Sequence, residues 1–176
     1  MNNNHEQYFT IAMSYIEIGR IASKKNWIHE RFPRFFGIGN VTKLHSVGDY
    51  QNALGYQLFH AIELFLKYAI SSKIGQPPKT HDLKKLLDMY EEQYLDSKFN
   101  LEHPFDFSDY EQCELNKSEQ DLFDAHISKY KPEFIDQHLR YPADDRNGGY
   151  SFIFDTGYFE KMEKEFLRLH SAINNR

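Results

Sequence analysis

Gln51–Gly75, QNALGYQLFHAIELFLKYAISSKIG, is the longest stretch of the chain that reads as one helix. Its polar residues Gln57, His60, Glu63, Lys67 and Ser71 recur at spacings of 3, 3, 4 and 4. At about 100° per residue they form one stripe roughly 120° wide. Leu54, Leu58, Ala61, Ile62, Leu64, Phe65, Leu66, Ala69 and Ile70 make the rest of the girth apolar. A helix apolar around most of its girth is surrounded by other helices. The stripe is then either the wall of a groove or the one wet face. Asp49 is placed to cap the start, and Gly75 followed by Pro77-Pro78 to end the helix.

Outward from this centre the pattern stays helical. Over Asn4–Ala22, Tyr8, Ile11, Ala12, Tyr15, Ile18, Gly19 and Ala22 make an amphipathic stripe. After the prolines, Thr80 is read as the cap of a helix to about Tyr94, with Asp82 in its first turn and Leu83, Leu86, Leu87, Tyr90 and Tyr94 inward. The short connection predicts that this helix is antiparallel to the central one. Lys117–Tyr130, with Ser118 as cap, continues past Pro132 towards Leu139. Phe159, Met162, Phe166, Leu169 and Ile173, spaced 3, 4, 3 and 4, mark a last helix with a bundle seam. Tyr150–Phe154 is an apolar run suited to one edge strand or an extended segment, with Val41–Leu44 a weak partner. The expected fold is an all-α, up-and-down helical bundle of about five helices in one domain, residues 1–176. Its core helices are expected over about 4–28, 49–74, 81–95, 117–139 and 156–173, with long loop elaborations.

A chain of 176 residues suits one domain with a proper core. Its one cysteine, Cys113, excludes an internal disulfide and a cysteine-based zinc site. No apolar run approaches the roughly 18 residues of a membrane span, and MNNNHEQY has no secretory signal pattern. A cytoplasmic protein without membrane association is expected. The net charge of −5 excludes a general nucleic-acid-binding polycation. The charge is uneven, however. Arg20–His45 holds six Lys or Arg against Glu30, and Asp88–Asp124 holds twelve Asp or Glu against Lys98 and Lys117. Such asymmetry fits paired faces or a basic face kept for an anionic partner. Residues 23–48 interleave cations with Trp27, Phe32, Phe35 and Phe36. That suits single-stranded nucleic acid, or equally aromatics on a core or dimer seam with solvated cations. Residues 96–116 are acidic and irregular, with one helical turn at most.

The candidate chemistry sits on the central stripe. His60 and Glu63 are i,i+3 neighbours, and Glu63 and Lys67 are an i,i+4 pair in the favourable order. They suit an anionic or nucleotide ligand, a dimer groove, or a salt-bridged stripe. His81 lies where free helix amides would meet a phosphate, or else reaches back to a neighbouring element. Arg140 and Tyr141, before Pro142, offer a planar fork to a phosphate or to Glu63. No Glu-x-x-His, Walker, Gly-x-Ser-x-Gly or His-Glu-x-x-His pattern is present, so neither a metal nor a cofactor is expected.

The run His60-Ala61-Ile62-Glu63-Leu64-Phe65-Leu66-Lys67, followed after a turn by Lys79-Thr80-His81-Asp82-Leu83, resembles the HEPN family, the nucleotide-binding domain of higher eukaryotes and prokaryotes. Arg140-Tyr141-Pro142 is similar to HEPN proteins of the uncharacterised bacterial type. The resemblance is firm over residues 50–94 and looser over 118–173. It implies a helical bundle that forms a homodimer with a groove between protomers. His60, Glu63, Lys67, His81, Arg140 and Tyr141 would line that groove and bind a nucleotide or RNA. Many members are metal-independent endoribonucleases of toxin–antitoxin or antiviral systems, with an Arg followed four to six residues later by a His. This sequence departs from that motif: Arg20 precedes His29, Arg34 precedes His45, and Arg140 has no His before His170. Binding without the usual nuclease motif is therefore the first expectation. A divergent endoribonuclease using His60 and Arg140 is the second. A partner-binding subunit of a two-gene system, with a nucleotidyltransferase-type partner, is the third.

Overall fold

A computed structural model describes residues 4–31, 47–105, 116–118, 120–121 and 154–175. Its helices are α1 (Asn4–Arg31), α2 (Val47–Ile74), α3 (Leu83–Gln93) and α4 (Thr156–Asn174), with a short 3-10 turn at Ser97–Phe99. No strand occurs among the described residues, and the architecture is an all-α bundle. The expected helix over 117–139 falls mostly outside the described residues. Its first residues are helical from Lys117, one position ahead of the expected cap Ser118. The edge-strand candidates at 41–44 and 150–153, Cys113, and residues 32–46 and 106–115 of the two charged segments also lie outside. No helix among the described residues is long and apolar enough to cross a membrane.

The central helix behaves as its composition requires. Leu54, Leu58, Phe59, Ala61, Ile62, Phe65, Leu66, Tyr68, Ala69 and Ile70 are all buried. Helix α2 begins two residues before Asp49, which lies in the first turn rather than at the cap. It ends as expected: Gly75 takes φ +81°, a left-handed conformation that costs glycine nothing, and its amide donates to the Ser71 carbonyl at 2.8 Å.

Phe9 meets Phe65 and Tyr68, while Tyr15 meets His60, so α1 and α2 run antiparallel. Ser23 meets Thr156 and Phe9 stacks on His170 at 3.9 Å, so α4 is antiparallel to α1. All five apolar seam residues of α4 are buried, as the spacing predicts, and Phe166 stacks on Phe65 at 4.2 Å and 7°. Asp155 caps α4 through the Tyr158 amide.

Two expectations are corrected. Ala12, Ile16, Gly19 and Ser23 face the core on α1, while Ile11 and Ile18 are exposed. The buried stripe is rotated by roughly 70° from the one that apolarity predicts. Small residues decide this: Gly19 lets α4 come so close that a Cβ there would stand 2.6 Å from both Cδ1 and Cζ of Phe159. The second correction concerns α3. Its start lies beside Glu63, through His81, and its end beside Ala69 and Ser72, through Tyr94. It therefore runs in the same direction as α2. The extended connection Gly75–Asp82 contains two prolines and retraces α2 before α3 begins. Past the bend at Gly75 and Gln76, the six residues to Asp82 span about 19 Å when extended, more than the roughly 16 Å of eleven helical residues.

Gly19→Ala is expected to destabilise by about 1–3 kcal/mol, since Phe159 is fully buried and has nowhere to swing. That exceeds the gain of up to about 1 kcal/mol in helix propensity. Urea unfolding checks it, and an unchanged or raised midpoint would contradict the close α1–α4 approach.

Candidate functional site

Positions 60, 63 and 67 of α2 stand above one another because i,i+3 and i,i+4 neighbours share a helix face. Glu63 is at the centre and only 3% exposed. Its Oε1 accepts from Lys67 Nζ at 2.8 Å and lies 2.9 Å from His81 Nδ1; its Oε2 lies 3.2 Å from His60 Nδ1. Burial works to raise the Glu63 pKa, but hydrogen bonds from His60 and Lys67 and their charges outweigh it and hold the carboxyl at about 2. Glu63 is thus an anion at neutral pH. Both imidazoles must donate through Nδ1, which turns the Nε2 atom of each neutral ring into an acceptor.

The connection before α3 delivers His81. Thr80 Oγ1 accepts from the Asp82 amide at 3.1 Å, and Asp82 caps α3 through the Lys85 amide at 3.2 Å. The cap is therefore Asp82, with Thr80 two residues before it. The His81 side chain is 73% exposed, whereas that of His60 is 22% exposed. Tyr56 meets His60 edge-on at 4.2 Å, and Tyr15 reaches it from α1 at 5.6 Å. Tyr56 is four residues before His60, so its approach is legible in the sequence; that of Tyr15 depends on the α1–α2 packing. One turn before His60, the buried Gln57 Oε1 has no hydrogen-bond partner among the described residues.

These positions resolve the alternatives for the polar stripe. Glu63, Lys67 and Ser71 are all buried, so this part of the stripe is not a wet face. The structure brings His60, Glu63, Lys67 and His81 together. Arg140 and Tyr141 lie outside the described residues, and so does any pairing of Arg140 with Glu63. Lys67 is consumed by Glu63 and is buried, so it holds the site together rather than facing a ligand. Among the described residues, no three His, Cys, Asp or Glu side chains gather as a metal site. A shallow open hollow of about 470 Å³ lies alongside, lined by Pro78, Lys79, Thr80, Lys85, Asp88, Met89 and Glu92.

The carboxylate predicts a pH dependence. The Glu63 pKa is lowered from 4.5 to about 2 on folding, so its contribution is fully present above pH 4.5. As the pH falls from there towards 2, the contribution is progressively lost, amounting to at most about 3 kcal/mol. Urea midpoints measured across this range are expected to fall more steeply in the native protein than in Glu63→Gln. Parallel slopes would contradict an ionised, buried Glu63.

Comparison with curated proteins and with solved structures returns no match. Residues 42–125, which include α2, its connection and α3, match the family model of the HEPN domain. That segment, just under half of the chain, is thus similar to the HEPN domain.

Proposed function

We propose that the protein binds a nucleotide or RNA on the face where α2 meets the connection to α3, and that His60 and His81 contact the ligand. The observation that carries this reading is the ionised Glu63, which holds the Nδ1 edges of both rings and turns their Nε2 edges away from itself. Rings fixed in this way contact a phosphate or base edge without first losing their own freedom, and preorganisation lowers the cost of binding. The aromatic rings of Tyr15 and Tyr56 around His60 add surface suited to a base. In this reading Arg140 and Tyr141 complete the site, and two copies of the chain form the groove.

Fluorescence anisotropy with labelled short RNAs and a nucleotide panel tests it. Saturable binding is expected, weakened at least about tenfold by His60→Ala or His81→Ala, with circular dichroism showing that each variant remains folded. No binding across the panel would overturn the reading. Light scattering of the free protein tests the dimer separately.

One observation favours a second reading, a metal-independent endoribonuclease. A buried carboxylate that orients an imidazole is also how a general base is positioned. Cleavage in EDTA that is lost in His60→Ala or His81→Ala would support it, and intact RNA with pure protein would count against it.

A further inference from the structure

A nucleophilic histidine needs an accessible ring nitrogen with a free lone pair, a fixed tautomer, and a nearby anion to meet the charge that develops on the ring. His81 has all three. Its side chain is exposed, Nδ1 lies 2.9 Å from Glu63 Oε1, and Nε2 makes no hydrogen bond or ion pair among the described residues. The other described histidines lack the combination. His60 is wrapped by Tyr15, Tyr56 and Phe59. His170 lies flat on Phe9, with Nε2 against Glu6 and Asn174. His5 directs Nε2 towards Glu6 at 3.9 Å, and His103 Nδ1 is buried.

We propose that His81 is a phosphoryl-acceptor residue, whose Nε2 takes a phosphoryl group from a donor of the phosphoramidate or acyl-phosphate class. The inference does not rest on the nucleotide or RNA reading. The Nε2 lone pair attacks phosphorus and the Nε2–P bond forms. The P–N bond of a phosphoramidate, or the P–O bond of an acyl phosphate, breaks, and its electron pair leaves with ammonia or the carboxylate. The Nδ1 proton stays in place, and the Glu63 carboxylate balances the positive ring. The local charges favour an anionic donor. Asp82 is occupied, with one oxygen on the Lys85 amide and the other 3.1 Å from Lys85 Nζ. Lys79, two residues before His81, makes no ion pair among the described residues and supplies a cation.

The test treats the full chain with potassium phosphoramidate and follows it over time by 31P NMR and tandem mass spectrometry. His81 is expected to be labelled fastest of the nine histidines, with the phosphorus on Nε2. Glu63→Gln is expected to slow that labelling at least about tenfold and to leave the rate at His5 unchanged. Should that variant unfold, 15N shifts of the native His81 ring decide, with the Nδ1–H tautomer expected. Labelling of His81 no faster than the other histidines, phosphorus on Nδ1, or an Nε2–H tautomer would overturn the proposal. Because the probe is not a nucleotide, failure here and failure of nucleotide or RNA binding are read separately.

Discussion

Glu63→Ala is expected to destabilise the protein by about 3–5 kcal/mol, the range for breaking a buried ion pair from one side. The damage lies in what remains. The Lys67 ammonium stays buried, and Glu63 is its ion-pair partner among the described residues. His60 and His81 lose their shared acceptor in the same step. The pair's own net stabilisation is smaller, because taking two charges out of water offsets much of their attraction. The double variant Glu63→Gln with Lys67→Met is therefore expected to recover most of the loss, since neither charge remains to be stranded. Urea unfolding of the single and double variants forms a mutant cycle. A loss under about 1 kcal/mol for Glu63→Ala would mean that Lys67 finds water or another partner, and the buried cluster would be wrong.

Phe166→Ala should cost a similar amount, about 3–5 kcal/mol, as a large buried ring is exchanged for a methyl group and a cavity. The ring is fully buried and lies parallel to Phe65 at 4.2 Å, where α4 crosses α2. Ring stacking adds about 1 kcal/mol to the burial itself. The neighbouring Leu167 is 49% exposed, and Leu167→Ala is expected to change stability by about 0.5 kcal/mol or less. Calorimetry of the two variants side by side gives the contrast. Equal losses would show that the α4 face is assigned wrongly.

The ease of reading each helix from its sequence follows from how it packs. Helix α4 has one clear seam from Phe159 to Ile173, with mostly polar residues elsewhere, and its 3, 4, 3, 4 spacing places it. Helix α1 carries apolar residues on two sides. Ile11 and Ile18 weigh as much in a periodicity count as Ile16, yet α2 and α4 select the side carrying Ala12, Gly19 and Ser23. Close approach rewards small residues, a preference that a count of hydrophobic side chains misses. The direction of α3 was set by the conformation of its connection. Counting residues treats Gly75–Asp82 as a tight reversal, whereas its prolines keep it extended.

At the site, the i,i+3 and i,i+4 spacings make His60–Glu63–Lys67 legible from the sequence. That His81 joins the same carboxylate depends on the retracing connection, which no spacing along α2 encodes. The burial of Glu63 and Lys67 was equally hidden, because a polar stripe has the same spacing whether it faces water or protein.

The pairing of α1 with α4 also sets an order of events during synthesis. Ser23 and Thr156 are 133 positions apart, and Glu6 and His170 are 164 apart. At about 5–20 residues per second, a ribosome takes roughly 7–27 s to make the chain between the first of these partners. During that interval α1 is completed and α2 is made and emerges, both without the helix that covers Gly19 and Phe65. A nascent chain with this arrangement presents an aromatic surface to its surroundings until α4 arrives. It is the kind of intermediate that chaperones hold, and here its lifetime is set by translation rather than by the speed of helix formation.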